Sequence, residues 1–342
     1  MIPSVSASGL LTVTATSFWR PTAVADIDEG GPIQVSGVGS MVQVGAQVND
    51  TSDARFTRVT STHQIQLPGT GTYSISASSC CRVGGILNAS ESTWTMNSAI
   101  AYNGSASTPI QFNFGAVQSE VVRGADYNGS LGAVAGPGLT LSYNQNLNQS
   151  INSQPPGFVI DPNTGALFIP GSSTAVYGEN GQNLGADYAF SGNILASNGS
   201  FVEFDWLFDA VQTGTGNLAP QVNDAIINVI QGNTASHTFT GTDPNGTPLT
   251  WSFLSLLGSG IAIAPSFNPA TQLFTWNTAG SPLGQYIAQV LASDGSLTDV
   301  GQLTINVVSN GGGGTVPEPA TLLLLGMGAA AAVARRQRKT RA

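Results

Sequence analysis

Phe158-Val-Ile-Asp-Pro-Asn-Thr-Gly165 and Phe267-Asn-Pro-Ala-Thr-Gln-Leu-Phe-Thr-Trp276 decide the fold, because they are two versions of one strand–turn–strand unit. In each, an apolar stub runs into Asp-Pro or Asn-Pro. Asp and Asn bond to their own backbone, Pro presets φ, and the pair ends a strand in a turn. Around them, further landmarks recur in one order. Leu139-Thr-Leu-Ser-Tyr143 answers to Leu249-Thr-Trp-Ser-Phe253 at an offset of 110. Asp161-Pro-Asn-Thr-Gly-Ala-Leu-Phe168 answers to Asn268-Pro-Ala-Thr-Gln-Leu-Phe274 with one deletion, and Leu195-Ala-Ser-Asn-Gly-Ser200 to Leu291-Ala-Ser-Asp-Gly-Ser296. Pro109-Ile-Gln and Pro220-Gln-Val open the two runs. Landmarks repeated in one order imply two copies of one sandwich module, at 109–213 and 217–309, with the small-residue hinge Gly214-Thr-Gly-Asn-Leu between them.

Residues 1–108 read as a further β-module. Leu11, Val13 and Ala15 alternate with Thr12, Thr14 and Thr16, the period of a half-buried strand. Val35 to Val48, Thr60 to Leu67, Tyr73-Ser-Ile-Ser-Ala and Trp94-Thr-Met-Asn-Ser-Ala-Ile continue the style between Gly, Asn-Asp and Pro-Gly turns. The expected class is all-β: tandem sandwiches, then a Gly311–Gly314 tether at 310–315 and a C-terminal hydrophobic helix.

Charged residues make up 8% of the chain against ~25% in an ordinary soluble protein, and Gly numbers 42, which suits short strands and tight turns. Residues 1–316 hold Arg20, Arg55, Arg58, Arg82 and Arg123 against 18 acidic side chains, a net of −13. Such a body repels nucleic acid, which excludes that class of partner. Adjacent Cys80 and Cys81 leave three states open: a vicinal disulfide, two buried thiols, or a link to another chain. With only the distant His63 and His237 to join them, they make no zinc spacing. Met1 to Trp19 lacks the basic start of a signal peptide, while Ser4-Val-Ser-Ala-Ser8 has the small residues of a cleavage region, so the expected reading frame begins upstream.

The second copy resembles the cadherin-like and immunoglobulin-like modules of bacterial surface proteins. The resemblance rests on Asn217-Leu-Ala-Pro220, Asp243-Pro-Asn-Gly-Thr-Pro-Leu-Thr-Trp251, Phe267 to Trp276, and Gly284-Gln-Tyr286 through Ala292-Ser-Asp-Gly295. Calcium is the one cofactor suggested, with Asn217, Asp243, Asn245 and Asp294 converging at one pole. Against it, Asp243-Pro and Asp294-Gly are turn dipeptides in their own right, and the cadherin linker motif is reduced to Asn-Leu-Ala-Pro.

The tail, 316–342, has three parts. Val316, Pro317, Glu318 and Pro319 form an extended segment, Ala320 to Ala334 an apolar run of 15 residues, and Arg335, Arg336, Arg338, Lys339 and Arg341 a basic end. This order resembles the PEP-CTERM sorting signal of Gram-negative bacteria, also catalogued as the ice-binding protein C-terminal domain. The resemblance implies export, transient retention in the inner membrane by the segment 320–334, and processing at Pro-Glu-Pro by an exosortase.

Two further constellations bear on function. Glu203, Asp205 and Asp209 alternate with Val202, Phe204, Trp206 and Phe208, which places the carboxylates on a solvated strand face rather than in an active site. Trp19, Trp94, Trp206, Trp251 and Trp276 are candidates for a sugar platform, with core the expectation for Trp251 and Trp276. The reading is an exported, non-enzymatic structural or adhesion protein of the cell surface or matrix, with neighbouring surface proteins or exopolysaccharide as partners. The alternative is a carbohydrate-binding protein of a biofilm matrix.

Overall fold

The structure is a computed structural model, described here for residues 1–21, 31–113, 118–147, 150–175, 187–212 and 216–310. The tether glycines, the sorting motif, the segment 320–334 and the basic cluster lie outside the described residues. Among those described, no helix is long and apolar enough to cross a membrane.

The first module holds β1 (Ile2–Val5), β2 (Leu10–Trp19), β3 (Gln34–Val35), β4 (Gly39–Ser40), β5 (Val42–Gln43), β6 (Val48–Asp50), β7 (Thr57–Gln66), β8 (Gly71–Ser79) and β9 (Trp94–Tyr102). Ser4 to Ser8, read above as a cleavage region, is the end of β1 and the turn into β2. One sheet runs β1-β2-β7, with β5 and β6 both on β7; β4-β3-β8-β9 form the facing layer. The predicted alternation holds in β2: Leu11, Val13 and Ala15 are wholly buried. They meet Ile33, Val35, Ile75, Ala77 and Ile100 from the other layer.

The first copy holds β10 (Ile110–Gln111), β11 (Gln118–Val122), β12 (Tyr127–Ser130), β13 (Val134–Ala135), β14 (Leu141–Gln145), β15 (Val159–Ile160), β16 (Ala166–Ile169), the single turn α1 (Gly171–Thr174), β17 (Tyr188–Ala196) and β18 (Phe201–Val211). The second holds β19 (Gln221–Val222), β20 (Ala225–Ile230), β21 (Thr234–Thr238), β22 (Gly241–Thr242), β23 (Thr250–Leu257), β24 (Ser266–Asn268), β25 (Leu273–Asn277), β26 (Gly284–Ser293) and β27 (Thr298–Val308). Their wiring is the same. β14-β17-β18 with β11 parallel on β18 matches β23-β26-β27 with β20 parallel on β27. The layer β12-β16-β15 matches β21-β25-β24, and the pair β10-β13 matches β19-β22. Two layers with this division of strands are the immunoglobulin- and cadherin-type sandwich plan.

Register corrects one detail of the repeat. Val159 pairs with Phe168 and Ile160 with Leu167, as Ser266 pairs with Thr275 and Phe267 with Phe274. Leu167 therefore corresponds to Phe274 and Ile169 to Trp276, at a constant offset with no deletion; all four are buried, while Phe168 is exposed. Matching Phe168 to Phe274 by letter shifts the strand by one residue, which moves a side chain from core to solvent.

The modules do not stand apart. β18 pairs with β9 through Phe201–Ala99 and Val202–Ser98, so one eight-stranded sheet runs from the first module into the first copy. Between β8 and β9, the loop 80–92 lies on the first copy: Asn88 Nδ2 donates to the carbonyl of Ala189, whose N–H donates back to Asn88 Oδ1 at 2.9 Å. The residues 53–55 reach the second copy. Asp53 Oδ2 accepts from the N–H and hydroxyl of Thr298 at 3.0 and 2.8 Å, and Arg55 Nη2 donates to the Thr298 carbonyl. Glu120 of β11 closes the junction, accepting from Arg55 at 2.7 Å on one oxygen and from the N–H of Ala219 on the other. Asp53 and Arg55 are buried, and each supplies what the other would otherwise lack.

Candidate functional site

The carboxylates of β18 do not occupy a solvated face. Asp209 is buried, and Asp205 is gripped by both terminal nitrogens of Arg82 across 123 positions of sequence. Arg82 is itself held by Ser150 Oγ at 2.7 Å. Glu203 Oε2 accepts from the backbone N–H and the side-chain amide of Asn97, at 2.5 and 3.1 Å. Burial raises the Glu203 carboxyl above its ordinary range; the Asn97 bonds pull the other way and the charge of Asp205 adds to the rise. The expectation failed because β9 and the loop 80–92, neither adjacent in sequence, cover that face.

Arg82, Glu203 and Asp205 line a cavity of about 470 Å3 between the first module and the first copy. Trp19 and Trp94, both half-buried, and Cys80 and Cys81 share its wall. The side chains of Cys80 and Cys81 are turned toward each other there. The remaining tryptophans are elsewhere. Trp276 is buried against Tyr286, Trp251 packs on the core of the second copy, and Trp206 stacks on Phe190 with ring centroids 6.0 Å apart.

All four residues read as calcium ligands are hydrogen-bonded to the chain around them. Asn217 Nδ2 donates to Asp294 Oδ2 at 2.6 Å, and Asn245 Oδ1 accepts from the N–H of Leu218. Asp294 Oδ1 accepts from the N–H groups of Ser296 and Leu297, and Asp243 Oδ1 from those of Asn245 and Thr247. Both aspartates thus serve as turn formers, and only Asp243 Oδ2 is buried without a hydrogen-bond partner. Among the described residues no three His, Cys, Asp or Glu side chains are placed to hold a metal. His63 is bonded to Ser61 Oγ in β7, and His237 lies edge-on to Phe239 in the second copy.

The fold and its sites define a protein of linked immunoglobulin- and cadherin-type sandwiches. Residues 315–339 match the PEP-CTERM protein-sorting motif, the address that the sequence carries at its end. None of the curated proteins compared matches the chain. Among solved structures, the chain is similar over 91% of its length to an endo-fucoidan hydrolase of glycoside hydrolase family 107, at 15% identity and a TM-score of 0.23, spanning 43% of that protein. It is similar over 90% of its length to an I-band fragment of titin (97% of that chain, 13% identity, TM-score 0.20). Over 87% it is similar to the extracellular cadherin domains 3–6 of protocadherin gamma B2 (78% of that chain, 12% identity, TM-score 0.22). The chain thus spans less than half the length of that fucoidan hydrolase. Likenesses of this size carry no activity to this chain.

The motif marks the chain for export with a membrane-anchored sorting tail and for processing by an exosortase.

Proposed function

We propose that this is a structural or adhesion protein of the bacterial cell surface or extracellular matrix, without enzymatic activity, released to its place when an exosortase cuts at Val316-Pro-Glu-Pro319. The sorting motif carries the reading, since it supplies an address and the rest of the chain supplies joined sandwiches. In this reading the apolar run at 320–334 holds the precursor in the inner membrane, and Arg335, Arg336, Arg338, Lys339 and Arg341 stay on its cytoplasmic side. The three modules are 1–108, 109–213 and 217–309. The test is fractionation of cells expressing the chain with Pro317-Glu-Pro319 intact or replaced by alanines. Surface or medium location for the first and membrane retention of the second support the reading; equal distribution of both sinks it.

A second reading, a matrix protein that binds carbohydrate, is favoured by one observation, the tryptophan- and carboxylate-lined cavity. Calcium at Asn217, Asp243, Asn245 and Asp294 stays a proposal supported by the open Asp243 Oδ2. Its measure is the melting temperature with calcium and with chelator. Binding to the folded state alone must raise it, by RT ln(1 + [L]/Kd) in free energy. An identical melt in both removes calcium from the account.

A further inference from the structure

The cavity between the first module and the first copy has the make-up of a ligand site. At about 470 Å3 it falls in the usual range of small-molecule pockets, ~300–1,000 Å3. That is room for about fifteen waters at ~30 Å3 each, enough for one or two sugar rings. Trp19 and Trp94 form part of its wall and stack on no other ring among the described residues. Trp19 is held in place by the hydrogen bond from its Nε1 to Ser17 Oγ at 2.8 Å. The polar part of the wall is equally fixed. Arg82 and Asp205 lock each other, and Asn97 locks Glu203. Rigid indoles beside pre-set donors and acceptors need little ordering when a ligand arrives.

The lining discriminates among ligand classes. An acyl chain would strip water from Glu203, Asp205 and the guanidiniums and leave unmet the hydrogen-bonding capacity that Asn97 and the Arg82–Asp205 pair do not fill. An anionic ligand meets three carboxylates, those of Glu91, Glu203 and Asp205, against two guanidiniums, those of Arg20 and Arg82, and the Met1 amino group, whose pKa burial lowers to about 6. An organic cation suits the indoles and the carboxylates, but a quaternary ammonium offers no acceptor to the N–H groups of Arg20 and Arg82. A neutral pyranose matches both the indoles and the polar groups of the wall. Its C–H faces lie on indole, and its hydroxyls both donate to carboxylates and accept from N–H groups.

We propose that this cavity is a binding site for a neutral pyranose saccharide of one or two rings. The sugar rings lie on Trp19 and Trp94, and Glu203 and the Arg82–Asp205 pair hold the hydroxyls. The proposal supplies a ligand class for the adhesive role and rests on that reading for its setting, though the binding event itself does not depend on where the protein is sorted.

The experiment uses the full chain in mild detergent, titrated with cellobiose, maltose and N,N'-diacetylchitobiose, and with glucuronate and choline as the rival classes. Calorimetry and intrinsic tryptophan fluorescence report binding. At least one neutral disaccharide is expected to bind and to shift the fluorescence, with Trp94→Ala weakening it about tenfold or more and Glu203→Gln by about five- to tenfold. Should Trp94→Ala not fold, Glu203→Gln carries the test alone, since it preserves the shape of the side chain. The proposal is overturned if no neutral disaccharide binds at about 10 mM, the weak end of measurable affinity. It is equally overturned if glucuronate or choline binds more tightly, or if neither variant changes the affinity. Loss of saccharide binding leaves the surface reading standing, and a mislocalised chain that still binds sugar leaves the cavity standing.

Discussion

The two copies share every strand and nearly every register pair, yet they meet the first module in different ways. The first copy shares a sheet with it, with side-chain bonds alongside: β18 pairs with β9, and Ser200 Oγ accepts the N–H of Ala101 at 2.9 Å. The second shares no sheet with it among the described residues, and Asp53 and Arg55 hold Thr298 instead. The hairpin between the last two strands makes the difference. In the first copy Ala196 faces Ser200 across three residues, whereas in the second Ala292 pairs with Asp299 across six. The longer turn presents Ser296 and Thr298 to the first module, and the N–H of Ala54 donates to the Ser296 carbonyl. In the position of Ser200 the second copy has Asp299, which accepts the N–H of Val222 from its own entry strand. One sandwich plan thus supports either a continuous sheet or a polar lock, depending on a few residues at one turn.

The largest effect is expected from breaking the polar lock. Burial disfavours the charge on Arg55, but the hydrogen bonds and charges of Asp53 and Glu120 outweigh it and hold the guanidinium above its ordinary pKa. Arg55→Ala leaves two acidic groups buried without their partner, a cost of about 3–5 kcal/mol. Chemical denaturation should show that loss, with the second copy cleaved first by a protease. A variant as stable as the parent would mean the lock contributes nothing.

A smaller effect separates the copies at their shared Asx-Pro turn. Gly165 has φ +70°, and its counterpart Gln272 has φ +55°, the left-handed region that costs a side-chain-bearing residue ~1–2 kcal/mol. A β-carbon on Gly165 would also lie 2.7 Å from the Tyr143 ring. Gly165→Ala should therefore destabilise by about 2–3 kcal/mol. Gln272→Gly should stabilise by up to about 1 kcal/mol, less than the strain removed because glycine loosens the unfolded chain. Thermal melts of the pair check this, and equal responses at the two sites would break the equivalence.

The smallest effect is one of pH. Burial lifts Asp299 to about 7, with the nearby Asp224 charge adding and the Val222 N–H subtracting; Asp224 is itself lifted to about 6 by burial. The folded state therefore holds protons that the unfolded chain has released. This contribution is complete below about pH 4 and is lost as pH rises through about 6 to 7. Melting temperature should fall from about pH 5 to pH 8, and Asp299→Asn should flatten the fall by a few degrees. An unchanged slope in the variant would place the titration elsewhere.

Much of this was legible because it is local. The alternation of Leu11, Val13 and Ala15 with threonines appears as buried and outward faces of β2, and the repeated Asx-Pro turn appears twice. Trp276 was read as core and is core. Glu203, Asp205 and Asp209 were misread for an equally physical reason. Alternation tells which side chains share a face but not what covers it, and here the cover comes from Asn97 and Arg82, more than 100 positions away. The cavity has no sequence signature, since Trp19, Trp94 and Glu203 come from three separate strands.

The sequence by itself determined the β class, the repeat and the sorting address. Each is written in contiguous residues, as a period of two, an ordered set of turns, or an unbroken motif. Only the tertiary structure decided which edge each copy offers, which carboxylates are buried and where a ligand could sit. Those depend on pairings such as Arg55 with Thr298, separated by 243 positions. Such pairings follow from packing, and no local pattern in the chain encodes them.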